Sequence, residues 1–177
     1  MSPLPQKILV TGASGFIGSH LLARIALDGL QPLAVLRGAS SKLFADFPIV
    51  TVGDLSSTTD WSQAIEHVSV VIHAAARVHV MNDRSVDPLA EFRKVNVEGT
   101  LNLARQAAAA GIRRFIFISS VKVNGEGTLA GVPYLADAQA APADPYGISK
   151  MEAEQGLRAL AAETGMEVVI IRPTLVY

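Results

Sequence analysis

The sequence lacks several features that would assign it to common classes of protein. Its 177 residues include no cysteine, which excludes disulfide bonds, thiolate zinc sites and a cysteine nucleophile. No apolar run approaches the roughly 20 residues that cross a bilayer, and the start MSPLPQK has no signal-peptide pattern. Neither sign of charge dominates, since the net charge is −1, and neither nucleic acid nor a membrane surface is indicated as a partner. We therefore expect a cytoplasmic protein.

Short β-branched segments alternate with longer segments of helical periodicity. Half of the residues are apolar, enough for one globular domain with a substantial core. The predicted strands are 7–11, 32–36, 49–52, 70–74, 114–119 and 167–172, and the predicted helices are 16–29, 58–67, 88–110 and 145–164. Because the strands are apolar on both faces and alternate with helices, we predict an α/β fold with a doubly wound parallel sheet, the Rossmann fold.

Glycines support the predicted ends of the helices. Gly29, Gly111 and Gly165 stand where the helices are expected to stop. The segment 124–144 has no clear periodicity and is predicted to be a loop near a functional site.

Three glycines follow the first predicted strand, in the sequence KILVTGASGFIGSHLL. A turn between a strand and a helix aims backbone amides at an anion. Gly12 would allow the turn, Gly15 would admit a pyrophosphate, and Gly18 would let the helix pack close to the sheet. Small residues also recur where helices pack closely, so the pattern alone is weak, but its place between strand and helix favours a dinucleotide site.

Tyr146 and Lys150 lie four residues apart on a predicted helix, which puts both on one face. A neighbouring ammonium favours the phenolate, so Tyr146 could exchange a proton with a substrate hydroxyl. Lys150 could also bind the nicotinamide ribose. The simpler interpretation of this spacing is a Tyr and a Lys on the surface of a helix. Only the presence of the glycine turn in the same chain favours a catalytic role for the pair.

Six motifs in order resemble the extended short-chain dehydrogenase/reductase family, and within it the nucleotide-sugar epimerases and 4-keto reductases. They are TGASGFIG (11–18), GDL (53–55), VIHAAA (71–76), NVEGT (96–100), ISS (118–120) and YGISK (146–150). The resemblance runs from Lys7 to Tyr177 and implies an NAD or NADP cofactor. Because family members are longer, we expect residues 1–177 to be the NAD(P)-binding Rossmann domain of a truncated chain that lacks most of the substrate pocket and is inactive alone.

The resemblance also implies site residues. Ser120, Tyr146 and Lys150 would be catalytic, with Ser120 holding the reacting oxygen. Asn96 would help to position the Tyr/Lys end. The expected cofactor-binding residues are Gly12, Ser14, Gly15, Phe16, Ile17, Gly18, Arg37, Asp54, Leu55, Ala74, Ala75, Ala76, Asn96, Tyr146, Lys150 and Pro173. Helices 88–110 and 145–164 would form a homodimer interface. The alternative is that their apolar stretches, 104–110 and 151–162, belong to ordinary core helices.

The sequence also departs from the family's patterns. Asn124 stands where the family often has the tyrosine of S-S-x-x-V-Y-G. Related dehydratases place Asp-Glu after the serine, whereas this chain has Val121 and Lys122, so dehydration is not expected.

A metal site is not expected either. His73, His79 and Asp83 could be drawn as ligands, but they have no further ligand spacing.

Arg37 decides the predicted cofactor. A second strand in dinucleotide folds normally ends in an acid that binds the ribose diol, but AVLRGASSK ends this one with Arg37, followed by Ser40, Ser41 and Lys42. Because a guanidinium binds phosphate well, the sequence favours NADP over NAD. The alternative is a solvated arginine beside NAD.

The predicted function is hydride transfer at C4 of a nucleotide sugar, by a 4-epimerase or a 4-keto reductase, and NADP would favour the reductase. A reductase of non-sugar ketones or alcohols would use the same residues, so it stays open. A silent cofactor sensor is disfavoured, because it would not need Ser120, Tyr146 and Lys150.

Overall fold

A computed structural model describes residues 6–38, 46–78 and 86–176 of the chain. Its strands are β1 (Lys7–Thr11), β2 (Gln31–Leu36), β3 (Ile49–Thr51), β4 (Val70–His73), β5 (Arg114–Ile118) and β6 (Glu167–Ile171). Its α-helices are α1 (Phe16–Leu27), α2 (Pro88–Phe92), α3 (Thr100–Ala109) and α4 (Pro145–Thr164). A π-helical segment, Arg93–Gly99, joins α2 to α3, and a short 3-10 turn spans Val121–Val123. Every predicted strand bound is within one residue of the structure.

The six strands form one parallel sheet in the order β3-β2-β1-β4-β5-β6. The chain runs outward from β1 to β3, then returns to the other side of β1 to form β4. Ligands bind at such a reversal, in the crevice beyond the carboxyl ends of the strands. The Rossmann architecture predicted from the sequence is confirmed.

Both faces of the sheet are covered, because side chains alternate along each strand. In β1, Leu9 packs into a cluster with Trp61, Phe115 and Leu157, whereas its neighbours Ile8 and Val10 pack into a second cluster against α1. This two-sided burial explains why the strands read as continuous apolar runs.

The predicted helix 58–67 is wrong. The segment is a series of turns. It forms a helical hydrogen bond from the Ile65 amide to the Trp61 carbonyl (3.0 Å), and side chains of α3 hold the backbone of Thr59 and Trp61. The carbonyl of Thr59 accepts hydrogen bonds from Asn102 Nδ2 (2.8 Å) and Gln106 Nε2 (2.9 Å), and the amide of Trp61 donates to Gln106 Oε1 (2.9 Å). Trp61 packs in the core as expected, though not on a helix.

The other helices are confirmed, with one addition. The predicted helix 88–110 is continuous from Pro88 to Ala109, but its seven middle residues are π-helical. Wide turns of this kind are common at functional sites. The glycines after α1, α3 and α4, Gly29, Gly111 and Gly165, have φ of 74°, 76° and 75°, the left-handed geometry that ends helices.

Two further observations complete the fold. The segment 124–144 contains no helix or strand, as predicted. Among the helices of the described residues, none combines the length and apolarity that crossing a membrane requires.

Candidate active site

A cleft of about 890 Å³ opens at the carboxyl ends of β1, β2, β3 and β4. A smaller cavity of about 210 Å³ lies at the ends of β5 and β6. Ile17, Ala74, Ala76 and Val78 line both, so the two adjoin and form one elongated site over the strand reversal.

The turn between β1 and α1 rests directly on the end of β4. Gly12 has φ +66°, and a Cβ there would lie 2.7 Å from the amide nitrogen of Ala75 and 2.8 Å from the carbonyl carbon of Ala74. Any other residue would therefore be strained and would push the turn away from β4. The prediction that Gly12 permits the turn gains a second reason, the close approach to β4.

Gly18 has a different contact from the one expected. A Cβ at Gly18 would collide with the carbonyl oxygen of Gly12 and lie 2.7 Å from its carbonyl carbon. Gly18 thus lets the first turn of α1 pack on the glycine turn, not on the sheet as predicted. Gly15 is the N-cap of α1, and a Cβ there would lie 3.2 Å from the Gly12 oxygen.

The N-terminus of α1 faces the cleft. Gly15, Phe16 and Ile17 line it, and the first-turn amides of a helix have no intrahelical acceptors. The first turn carries no acidic side chain. Amides and helix dipole together make this end suited to an anion such as a pyrophosphate.

The smaller cavity brings together the three predicted catalytic residues, Ser120, Tyr146 and Lys150. Burial raises the pKa of Tyr146, while the nearby Ser120 side chain acts to lower it. The expected lowering by Lys150 is absent here, so the phenol is protonated at neutral pH.

Lys150 is almost completely buried, with 2% of its surface exposed. Its Nζ donates to the carbonyl of Ile118 (2.7 Å) and lies 4.2 Å from the ring centroid of Phe117. Burial lowers the pKa of Lys150 to about 7, while the charge of Glu154 acts to raise it. A lysine in this environment changes protonation readily near neutral pH.

Asn96 lies behind the site and lines neither cavity. Its Oδ1 accepts from the Arg77 amide (2.8 Å), and its Nδ2 donates to the Arg77 carbonyl (3.0 Å) and to Ser149 Oγ (3.0 Å). Ser149 Oγ in turn donates to the carbonyl of Tyr146 (2.7 Å). Both amide hydrogens of Asn96 are used in these bonds, which link it to the helix that carries Tyr146. Its predicted roles, cofactor contact and positioning of the Tyr/Lys end, stay predictions.

His73 is committed to hydrogen bonds beneath the cleft. Its Nδ1 bonds Thr11 Oγ1 (2.7 Å), and its Nε2 bonds Thr100 Oγ1 (2.9 Å). Burial, with a smaller contribution from the charge of Lys150, lowers its pKa to about 3, so the ring is neutral. The metal ligands considered with it, His79 and Asp83, lie outside the described residues.

Arg37 and Asp54 face each other at the far end of the cleft, which Leu55 and Ser14 also line. The guanidinium Nη1 is 3.9 Å from Asp54 Oδ1, and the side chains are 80% and 91% exposed. Both groups can therefore reach a ligand. Ser40, Ser41 and Lys42 lie outside the described residues.

The remaining predicted positions are also placed. Ala74, Ala75 and Ala76 line the middle of the cleft, and Pro173 lines the smaller cavity. Asn124 is buried and lines neither cavity. Lys122 bonds Glu126 and lies 3.3 Å from Asp144.

Sequence reasoning missed the residues that surround Lys150. Glu154, Ser119 and Arg172 form a buried network next to the site. The four-residue spacing from Lys150 to Glu154 on one helix was the available signal.

Comparison with known proteins agrees with this geometry. The model of the NAD dependent epimerase/dehydratase family matches residues 8–177. The chain belongs to this family. Its fold is the one expected of a short-chain dehydrogenase/reductase.

Members of the epimerase/dehydratase family resemble the chain over nearly its whole length. A UDP-glucose 4-epimerase of Vibrio cholerae is 48% identical over 176 residues, which is 98% of this chain and 53% of that protein. The UDP-glucuronic acid 4-epimerase from Bacillus cereus in complex with NAD superimposes with a TM-score of 0.82 and 26% identity, covering 97% of this chain and 57% of that one. The Thermotoga maritima UDP-glucose 4-epimerase with UDP-glucose superimposes with a TM-score of 0.77 and 28% identity, covering 94% of this chain and 55% of that one. The chain spans about half the length of the curated relatives it matches.

These relatives support an NAD-type cofactor. The Bacillus cereus structure holds NAD, and the predicted preference for NADP finds no support in it.

Gly15→Val tests the glycine turn. A side chain there would occupy the space above the α1 amides and press on the Gly12 carbonyl, so we expect at least a tenfold weaker affinity for NADH, about 1.4 kcal/mol. The measurement is calorimetric titration of the chain with NADH. Gly127→Val is the matched control, because a Cβ at Gly127 meets nothing within 4 Å. Unchanged affinity in folded Gly15→Val would remove the turn from the cofactor site.

Proposed function

We propose that residues 1–177 form the cofactor domain of a nucleotide-sugar 4-epimerase that uses NAD. The observation that carries this proposal is the joining of a helix N-terminus at the strand reversal to a cavity lined by Ser120, Tyr146 and Lys150. The first part suits a dinucleotide, and the second supplies proton transfer beside it. The related UDP-glucose 4-epimerase of Vibrio cholerae supports the substrate class.

The cleft fits an extended dinucleotide. Gly12, Gly15 and Ile17 line the cleft, and the first-turn amides of α1 would face the pyrophosphate. Arg37, Asp54 and Leu55 would hold the adenosine end, and Ala74 to Ala76 would line the middle. Lys150 would bind the nicotinamide ribose, and Pro173 would lie near the nicotinamide ring. NAD held by these residues would supply hydride transfer to and from C4 of the sugar.

Tyr146 carries the proton in this proposal. Its Oη is close to Ser120 and faces the cavity that the sugar would enter, so it can take the C4 hydroxyl proton and later return it. The phenol must become a phenolate to act as a base, which its burial opposes. Lys150 does not offset that cost in the structure, so the positive charge of a bound oxidised nicotinamide would have to favour the phenolate, and Ser120 would orient the substrate hydroxyl.

Two other expectations stay predictions: a homodimer interface formed by helices 88–110 and 145–164, and a cytoplasmic location.

Tyr146→Phe tests the proton-transfer role. We expect the interconversion of UDP-glucose and its C4 epimer by the full-length enzyme to slow by about 10²- to 10⁴-fold, with NADH affinity nearly unchanged, because only the transferable proton is lost. The measurement is the initial rate of epimer formation by NMR. Tyr134→Phe is the control, since the Tyr134 hydroxyl bonds Gly127 outside the cavity. A fully active Tyr146→Phe enzyme would show that the proton moves elsewhere.

A second candidate function is a 4-keto reductase that consumes NADPH. The observation that favours it is Arg37, whose exposed guanidinium lies in the adenosine end of the cleft. Asp54 argues against it, because a 2′-phosphate bound to Arg37 would also meet the Asp54 carboxylate. A retained NAD suits an epimerase, which has no net redox change.

The ratio of the dissociation constants for NADH and NADPH separates the two functions. We expect NADH to bind more tightly, and Arg37→Ala to leave its affinity within a few-fold. Arg24→Ala is the control, because Arg24 of α1 pairs with Asp28, just beyond the helix, and lines neither cavity. Tighter NADPH binding that Arg37→Ala abolishes would overturn the epimerase proposal in favour of the reductase.

A further inference from the structure

A buried carboxylate lies one helical turn beyond Lys150. Glu154 is on α4, four residues after Lys150, and only 2% of its surface is exposed. A lone buried carboxylate is costly unless it is paired and hydrogen-bonded. Glu154 meets both conditions, and each partner belongs to a segment that also supplies a cavity residue.

The first partner is Ser119, whose Oγ donates to Glu154 Oε1 (2.6 Å). Ser119 directly precedes Ser120, and its amide donates to the Ile171 carbonyl of β6 (2.7 Å). The position of the Ser120 backbone is therefore linked to Glu154 through its neighbour.

The second partner is Arg172, which binds Glu154 through both sides of the carboxylate. Nε donates to Oε1 (2.9 Å) and Nη2 to Oε2 (2.5 Å). Arg172 directly precedes Pro173, whose carbonyl accepts from the Val121 amide (3.0 Å) just beyond Ser120. Glu154 thus joins α4 to the ends of β5 and β6.

The charges around Lys150 make Glu154 its main electrostatic partner. On β4, His73 is neutral, and on α4 the Tyr146 phenol is protonated. Arg172, after β6, is a cation that lies against Glu154. Glu154 is the one group among these whose charge acts to keep the lysine protonated.

We propose that Glu154 is a positioning residue of the active site: through its bonds to Ser119 and Arg172 it holds the ends of β5 and β6 against α4, which fixes the spacing of Lys150, Ser120 and Pro173, and it places a negative charge one helical turn from Lys150. Its contacts are with Ser119 and Arg172, so it acts through its neighbours. The inference rests on the proposed function only for the part that Lys150 plays at the cofactor.

The direct test is the pKa of Lys150 in variants of this chain without cofactor or sugar. The Cε resonance of ¹³C-labelled lysine is followed against pH, with Lys150→Arg to assign it. Glu154→Gln removes the charge at nearly constant shape, and we expect the pKa of Lys150 to fall by about one unit or more. Glu154→Asp keeps the charge and should restore most of the shift. Glu163→Gln, an exposed site on the same helix, is the control and should leave the pKa unchanged.

Arg172→Gln is expected to shift the pKa of Lys150 in the opposite direction, so the test does not depend on a single variant. It removes the cation that competes for Glu154, and we expect the pKa of Lys150 to rise. Circular dichroism confirms the fold of each variant.

If Glu154 were only a structural residue, Glu154→Gln and Arg172→Gln would both lower the melting temperature, and neither would shift the pKa of Lys150. That result would overturn the proposal. Because no substrate takes part, this failure is distinct from a failure of the epimerase function, which the epimer assay reports.

Discussion

The close approach of the β1–α1 turn to the end of β4 is the contact on which the site depends. Gly12 lies so near the backbone of Ala74 and Ala75 that no side chain fits between them. A second contact fastens the same junction, because the Ala75 amide donates to Thr11 Oγ1 (3.2 Å), which also bonds His73. The turn is therefore held against the end of β4, where the N-terminus of α1 lines the cleft.

A buried cation is the second constraint, at the other end of the site. Lys150 is placed under the cavity by α4, and its Nζ is held by the Ile118 carbonyl and the ring of Phe117. Such burial makes the charged state costly, so nearby charge decides how often the lysine is protonated. The same network that satisfies Glu154 also fixes the chain on both sides of Ser120. Glu154, Ser119 and Arg172 therefore affect both the packing of the site and the charge near Lys150.

The sequence predicted the strands and α4 well because their signals are local. Strands buried on both faces appear as β-branched runs, and α4 has an N-cap at Asp144, whose side chain accepts from the Gly147 amide (2.6 Å), and a stop at Gly165. The segment 58–67 failed because its partners, Asn102 and Gln106, are more than forty residues away. Residue identities could predict that Tyr146 and Lys150 share a face, but the rise in the pKa of Tyr146 follows from burial, which depends on the assembled fold.

The central claim is that one extended dinucleotide spans the site, with its adenosine at Arg37 and Asp54 and its nicotinamide beside Tyr146 and Lys150. A crystal structure of the chain with NAD tests this claim most directly. The account predicts a pyrophosphate on the amides of Gly15 to Ile17 and the nicotinamide ribose within hydrogen-bond distance of Lys150 Nζ. An ordered NAD in the reverse direction, or one that leaves the Lys150 end empty, would contradict it.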